Sequence, residues 1–357
     1  MKQLAIILTL FVSVSFLMSC GDDEPPTEGG DETTVAEDKA NIEATFDEAL
    51  ECIRLLKNGE AVDVLLREFV GLSDGESFNE DWIEDLAENL EDVLDINTIE
   101  DNQRFDIALF QGTYTYSNST ETWSKASDQT NRVVFEFPTS PAATSNNAIL
   151  VIENYSDNEV IIEGETYFLP SSIDVSLTVD DVSIFRLDLN DVDYASNSDF
   201  EIPISVDMEL FINPFTINAV VERINTTEFK LDFDFSDGAA CNWGADVNLK
   251  LDNDDFENLT EDDITSITAK VRINDLSVES LSGIAELIKL DDPSDNEINS
   301  LLDLQVLFKD VKIGDLKVDD DNETIIIFYK DNTSEDTATY YEDFADEVEA
   351  LFEEFID

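Results

Sequence analysis

The chain has 357 residues, 84 acidic against 19 basic side chains and no histidine, a formal net charge of −65 at pH 7. Binding nucleic acid or an anionic bilayer through a basic patch is argued against, because both need clustered Lys and Arg; the missing imidazole removes Ser-His-Asp and Cys-His hydrolases, His-ligated zinc and His-held haem. At 42% hydrophobic with 23 Phe, the chain can still bury a core of one or two domains.

Met1-Lys2-Gln3 is followed by an apolar run from Leu4 to Phe16 and by Leu17-Met18-Ser19-Cys20. A charged start, a short apolar stretch and small residues before a cleavage point predict a secretory signal over residues 1–19. The run is shorter than the roughly 20 apolar residues a bilayer span needs. Leu-Met-Ser-Cys resembles the bacterial lipobox, which implies cleavage before Cys20 and acylation of its sulfur. Several acyl chains, at about 0.8 kcal/mol per buried CH₂, make a lasting membrane anchor.

Residues 20–38 open with Gly21-Asp22-Asp23-Glu24-Pro25-Pro26, a polar, Pro- and Gly-interrupted acidic tether that cannot bury a core and is expected to be disordered. An acidic run directly behind the lipidated Cys is similar to the surface-export signal of Bacteroidota lipoproteins. That likeness implies an outer-membrane lipoprotein displayed at the cell surface; a plain solvated spacer is the other reading. Cleavage would remove Lys2, leaving 84 acidic against 18 basic residues, net −66. Such a chain repels itself at low ionic strength, and seawater-like salt would relieve the strain.

Apolar residues at Ile42, Phe46, Ala49, Leu50, Ile53 and Leu56 recur at threes and fours, predicting a helix over 35–57. Two more helices are expected over Ala61–Phe69 and Glu80–Leu94, completing a helical segment over 39–100. Cys52 and Cys241 lie in a compartment that permits disulfides. Paired, they would close a loop of about 190 residues, worth on the order of 5 kcal/mol in the chain-entropy model. Two buried free thiols are the alternative.

From residue 101 to 335 the period changes to two, predicting an antiparallel β domain. Phe105–Tyr116 and Val133–Phe137 alternate, the second closed by Pro138. Ala148–Tyr155 and Glu159–Tyr167 flank a Ser156-Asp157-Asn158 turn. Ile173–Val179 and Val182–Leu189 read as a hairpin about Asp180-Asp181. Further strands are expected at Ile202–Ile212, Phe215–Val221, Glu228–Phe235, Asp246–Leu251, Ile267–Ile273, Gln305–Lys312 and Thr324–Tyr329. Short helices fall near Asn258–Asp263 and Asp295–Leu304. Over 336–357 an acidic amphipathic helix with Phe344, Val348, Leu351 and Phe355 on one face is expected to pack on the sheet. The fold class is α+β, mainly β: a large curved antiparallel sheet or half-barrel with helices at both ends.

The lipobox, Leu169-Pro170 before an alternating hairpin, Asn213-Pro214-Phe215 and the closing Ile326-Ile327-Phe328-Tyr329-Lys330-Asp331-Asn332 resemble large, uncharacterised Bacteroidota lipoproteins with long β-sheets. The resemblance spans roughly residues 100 to 357 and brings no catalytic residues. Asp336-Thr337-Ala338 is similar to the Bacteroidota O-glycosylation acceptor pattern, which would mark Thr337.

Candidate chemistry is sparse. Asp252, Asp254 and Asp255, with Asp319 and Asp321, could offer carboxylates to calcium, yet neither run has the EF-hand glycine and spaced Glu, so solvated turns are the simpler reading. A carboxylate-pair glycosidase needs two acids about 5 to 9.5 Å apart, which spacing along strands cannot show; Trp82, Trp123 and Trp243 offer little sugar-stacking surface. Ser124-Lys125 reads as part of a loop over Ser117–Asn131. No phosphate-binding glycine loop occurs and no cofactor is expected. The Phe-rich strands, from Phe105, Phe110, Phe135 and Phe137 through Phe168, Phe185, Phe211 and Phe215 to Phe229, Phe233 and Phe235, are either ordinary core or the lining of an apolar trough. The expected function is therefore non-catalytic binding of a hydrophobic or lipid-like ligand by an anchored envelope protein. The alternative is a surface module for a glycan or a partner protein.

Overall fold

The computed structural model describes residues 33–57, 104–139, 143–162, 164–194, 203–255, 259–290, 293–319, 324–342 and 344–346. The signal, Cys20, the tether up to residue 32, the helices expected over Ala61–Phe69 and Glu80–Leu94, Trp82 and Asp321 lie outside the described residues. Two compact units divide the chain: Asn58–Thr216, and Met1–Lys57 with Ile217–Asp357. The described residues include sixteen sheet strands, so the mainly β class with an N-terminal helix holds. Strand order follows the sequence except at one end, where it runs β2-β1-β3.

Helix α1 (Val35–Lys57) has the bounds its apolar spacing predicts, so residues 35–38, expected in the disordered tether, are helical instead. Thr34 starts it with a reciprocal cap: its N–H donates to Glu37 Oε2 at 2.7 Å, and the Glu37 N–H donates to Thr34 Oγ1 at 3.3 Å. Asp38, Ile42, Thr45, Ala49, Cys52 and Ile53 are buried, a spacing that keeps one helix face inward.

Among the described residues of the unit Asn58–Thr216, the first element is a helical turn, α2 (Ile107–Phe110), where alternation predicted strand from Phe105. Asp106 explains the difference: its side chain accepts from the Ala108 N–H at 3.0 Å and caps the turn. Then come β1 (Gly112–Ser117), β2 (Thr122–Ala126), β3 (Arg132–Phe137), β4 (Ala148–Ile162), β5 (Glu165–Val179), β6 (Val182–Tyr194) and β7 (Pro203–Ile212). β1 pairs β2 antiparallel and β3 in parallel, so the expected antiparallel rule fails here. The β2–β3 loop crosses the start of β1, where Asp128 accepts from the Thr113 N–H at 3.1 Å and Gln111 Oε1 accepts from the Asn131 N–H at 3.0 Å. Ser124-Lys125 lies on β2 and not in a loop.

The expected turn at Ser156-Asp157-Asn158 is absent: β4 runs through it with register shifts beside Ser156, and Asn154 has φ 56°. The polar triple stays in the strand because its side chains find partners on other segments. Ser156 Oγ pairs with Ser172 Oγ at 2.7 Å, Asn158 donates to the Val192 carbonyl at 3.0 Å, and buried Asp157 takes Arg104 at 2.6 Å. Gly164, φ +81°, makes the reversal instead. The Asp180-Asp181 hairpin stands as predicted, both residues left-handed at φ 50° and 64°. A core of Ile107, Phe110, Tyr114, Tyr116, Trp123, Val133 and Phe135 fills the β1–β3 end, with Phe105, Phe137, Leu150 and Ile152 against it.

Strand β8 (Phe215–Asn225) starts at the boundary, and the second unit continues with β9 (Glu228–Ser236), β10 (Asn242–Leu251), β11 (Ile264–Ile273), β12 (Leu276–Ser280), β13 (Leu304–Phe308), β14 (Val311–Asp319), β15 (Thr324–Tyr329) and β16 (Ser334–Asp336). A 3₁₀ turn, Glu261–Asp263, and helix α4 (Asp295–Leu301) fall where short helices were expected, and α3 (Ile284–Leu287) was not foreseen. The single strand expected over Gln305–Lys312 is two strands, reversed at Lys309-Asp310 with φ 50° and 60°. Asp310 is the one turn-favouring residue there, too weak a signal to break an otherwise strand-like run. Residues 338–342 and 344–346 are helical, and buried Phe344 sits 6.2 Å from Trp243 and 6.1 Å from Phe46, ring to ring. Ile42, Leu276, Val306, Ile313, Ile327 and Tyr329 form the core under α1.

Candidate functional site

Strict alternation puts Ala269 and Val271 of β11 on the same face as their cross-strand neighbours Ser280 and Val278 of β12. The row continues through Leu304 on β13 and Leu316 on β14, then through Val318 opposite Ile325 on β15. Helices α3 and α4 roof this face with Ile284, Leu287, Ile298 and Leu302. Between sheet and roof lies an apolar cavity of about 70 Å³.

Local chemistry builds the roof. Gly283 starts α3 at φ +92°, and a Cβ there would lie 2.0 Å from the Leu301 carbonyl oxygen, so only glycine fits where the two helices meet. Ser294 and Glu297 form a reciprocal cap on α4, with the Ser294 N–H donating to Glu297 Oε2 at 2.9 Å.

The few polar groups at the wall are already engaged. Asn299 donates to the Val318 carbonyl at 2.7 Å and accepts the Val318 N–H at 2.8 Å, and Ser280 Oγ donates to the Ser282 carbonyl at 3.3 Å. Lys317 reaches away to the ring of Phe328 at 5.6 Å. Hydrocarbon is what the interior offers, and a polar guest would leave its own donors unpaired there.

None of the described residues singled out in the sequence lines this cavity. Cys52 and Cys241 form a disulfide, with Cα atoms 5.6 Å apart, joining α1 to the residue before β10. Asp252, Asp254 and Asp255 are exposed in the turn after β10. Asn253 between them bonds Asp263 at 2.6 Å, and Asp319 ends β14. Among the described residues no group of three Cys, Asp or Glu is placed to hold a metal ion. Thr337 Oγ1 donates to the Ile325 carbonyl at 2.8 Å and is partly buried. Trp123 and Trp243 are both buried in aromatic clusters, Trp123 beside Tyr116 and Trp243 beside Phe235.

The phenylalanines do not act as one set. Phe110 and Phe135 are core and Phe215 is buried, while Phe168 and Phe211 lie under the Arg104 and Arg186 guanidinium groups at 5.7 and 5.8 Å. None of them lines the cavity, whose walls are aliphatic.

No protein-family model, no curated protein and no solved structure matches this chain. Sequence reasoning missed the cavity because its wall is ordinary Val, Leu and Ile. One signal was available: Gly283 between a strand pattern and the Ser294–Glu297 cap marks a tight helical roof.

Proposed function

We propose that this chain is a non-catalytic binding protein of the bacterial envelope, anchored through a lipid on Cys20, that holds an apolar group between β11–β15 and the α3–α4 roof. The observation that carries the reading is the aliphatic cavity whose flanking polar side chains are spent on the fold. Its size narrows the ligand. An engineered apolar cavity of about 150 Å³ accepts benzene, and pockets for whole drug-sized ligands run to roughly 300–1,000 Å³. About 70 Å³ suits the methyl end of an acyl chain or a group of similar bulk, and not an entire lipid.

Native mass spectrometry of the mature chain, with and without added medium-chain fatty acid, tests this. A stoichiometric adduct that disappears on denaturation is the expected result. A clean apo mass at saturating fatty acid, with a thermal midpoint that does not move, would reduce the cavity to a packing void. The search would then turn to surface glycans and partner proteins.

A further inference from the structure

The reverse side of the cavity floor carries charge. Asp246 on β10 stands directly opposite Asp232 on β9 and Lys270 on β11. Standing opposite each other on adjacent strands, the two carboxyl groups can share a hydrogen bond once one of them carries a proton. Arg272 on β11, only 11% exposed at its side chain, bonds Asp246 and reaches Asp234 at 3.6 Å. Lys230 sits 3.2 Å from Asp232. Lys270, the cation facing Asp246, is turned away to Asp310 at 2.7 Å, with Glu279 opposite it on β12. On β10 itself, Lys250 is bonded to Glu228.

Three carboxylates therefore share two cations, Arg272 and Lys230, and one proton brings the cluster to neutrality. Two carboxylates directly opposite each other on one face of a sheet cannot both be ionised at low cost. From this geometry we propose that Asp232 and Asp246 share a single proton that clamps β9 to β10, and that its loss loosens the β9–β11 strands. Burial and the Asp232 hydrogen bond push the Asp246 carboxyl up to about 6, against the pull of Arg272, so the proton would leave just below neutrality. Ala269 and Val271, flanking Lys270 on β11, line the cavity on the other face. The clamp thus gives the binding site a pH dependence; only this last consequence rests on the proposed function.

Amide hydrogen exchange of the mature chain at pH 5 and pH 8, corrected for intrinsic rates, reads the clamp directly. The expected result is about a tenfold loss of protection in β9–β11 at pH 8, an allowance of about one pH unit of linkage. Asp246→Asn and Asp232→Asn should each flatten that difference, because either amide can keep the cross-strand hydrogen bond without a proton to lose. Glu279→Gln should leave it intact. Equal pH dependence in the wild type and both Asn variants, or carboxyl carbon-13 titrations of both aspartates below pH 4.5, would overturn the clamp. Binding of fatty acid is followed separately: no binding at either pH would sink the cavity reading and leave the clamp standing.

Discussion

Asn299 on α4 holds the backbone of Val318 on β14 by both its groups, donating to the carbonyl at 2.7 Å and accepting the N–H at 2.8 Å. The β13–β14 ladder stops at Leu304 opposite Leu316, two residues short of Val318. The Asn side chain takes the place of the missing strand and pins the roof to the sheet. Asn299→Ala should cost about 2 kcal/mol, since it leaves a partly buried N–H and carbonyl to find water. The denaturant midpoint should fall, and fatty-acid binding should weaken with it. An unchanged midpoint would mean that water replaces the amide at no cost.

Filling the cavity separates ligand binding from stability. Ala269 is buried on the cavity floor, and Ala269→Leu adds three carbons to that space. Binding should be lost while stability holds or rises by about 1 kcal/mol, given about 0.8 kcal/mol per buried CH₂ offset by some crowding. Calorimetry with fatty acid, beside a thermal melt, gives both answers. Retained affinity in a folded variant would place the ligand elsewhere.

The Cys52–Cys241 bridge spans a sequence separation of 189 residues. Both residues are buried, so a mild reductant should act only on unfolding molecules. Replacing both by Ser should lower stability by roughly 3–5 kcal/mol, the range for long closed loops and lost native bridges. Urea titration with and without reductant measures it; coincident curves would deny the bridge a role in stability.

Glu335 on β16 gives the fold an acid-side pH dependence. Lys39 at 2.5 Å, together with the Tyr340 hydroxyl donating to Glu335 at 2.6 Å, holds its carboxyl below the usual range. A carboxyl depressed in the folded state contributes stability above its unfolded value and loses it as pH falls through the lower, folded one. With the Glu335 side chain 29% exposed and solvent screening the pair, Glu335→Gln should cost about 1 kcal/mol at pH 7. That difference should vanish in strong acid. A gap between the two proteins that persists at pH 2 would trace the loss to packing.

Much of the ladder was legible because period-two alternation survives wherever one sheet face is buried. Apolar spacing gives helix α1 and Thr324–Tyr329 with their bounds, and the Asp180-Asp181 turn in its place. Errors came where one side chain overruled the pattern. Asp106 caps a helical turn inside an alternating run, Asp157 stays in strand because Arg104 receives it, and Lys309-Asp310 turns with Asp310 as its one turn-favouring residue. The cavity was hidden for another reason. Aliphatic residues on a strand look alike whether they meet a close-packed neighbour or a gap.

Composition, charge and periodicity by themselves determined the mainly β class, the N-terminal helix and the absence of histidine chemistry, because each depends on residue type or local spacing. Tertiary structure decided that β1 and β3 run parallel, that Cys52 meets Cys241, that Asp232 faces Asp246, and that α3 and α4 leave room above β11–β15. Those relationships depend on which distant segments become neighbours. Strand register and the Gly283 corner set that, and no local pattern encodes it.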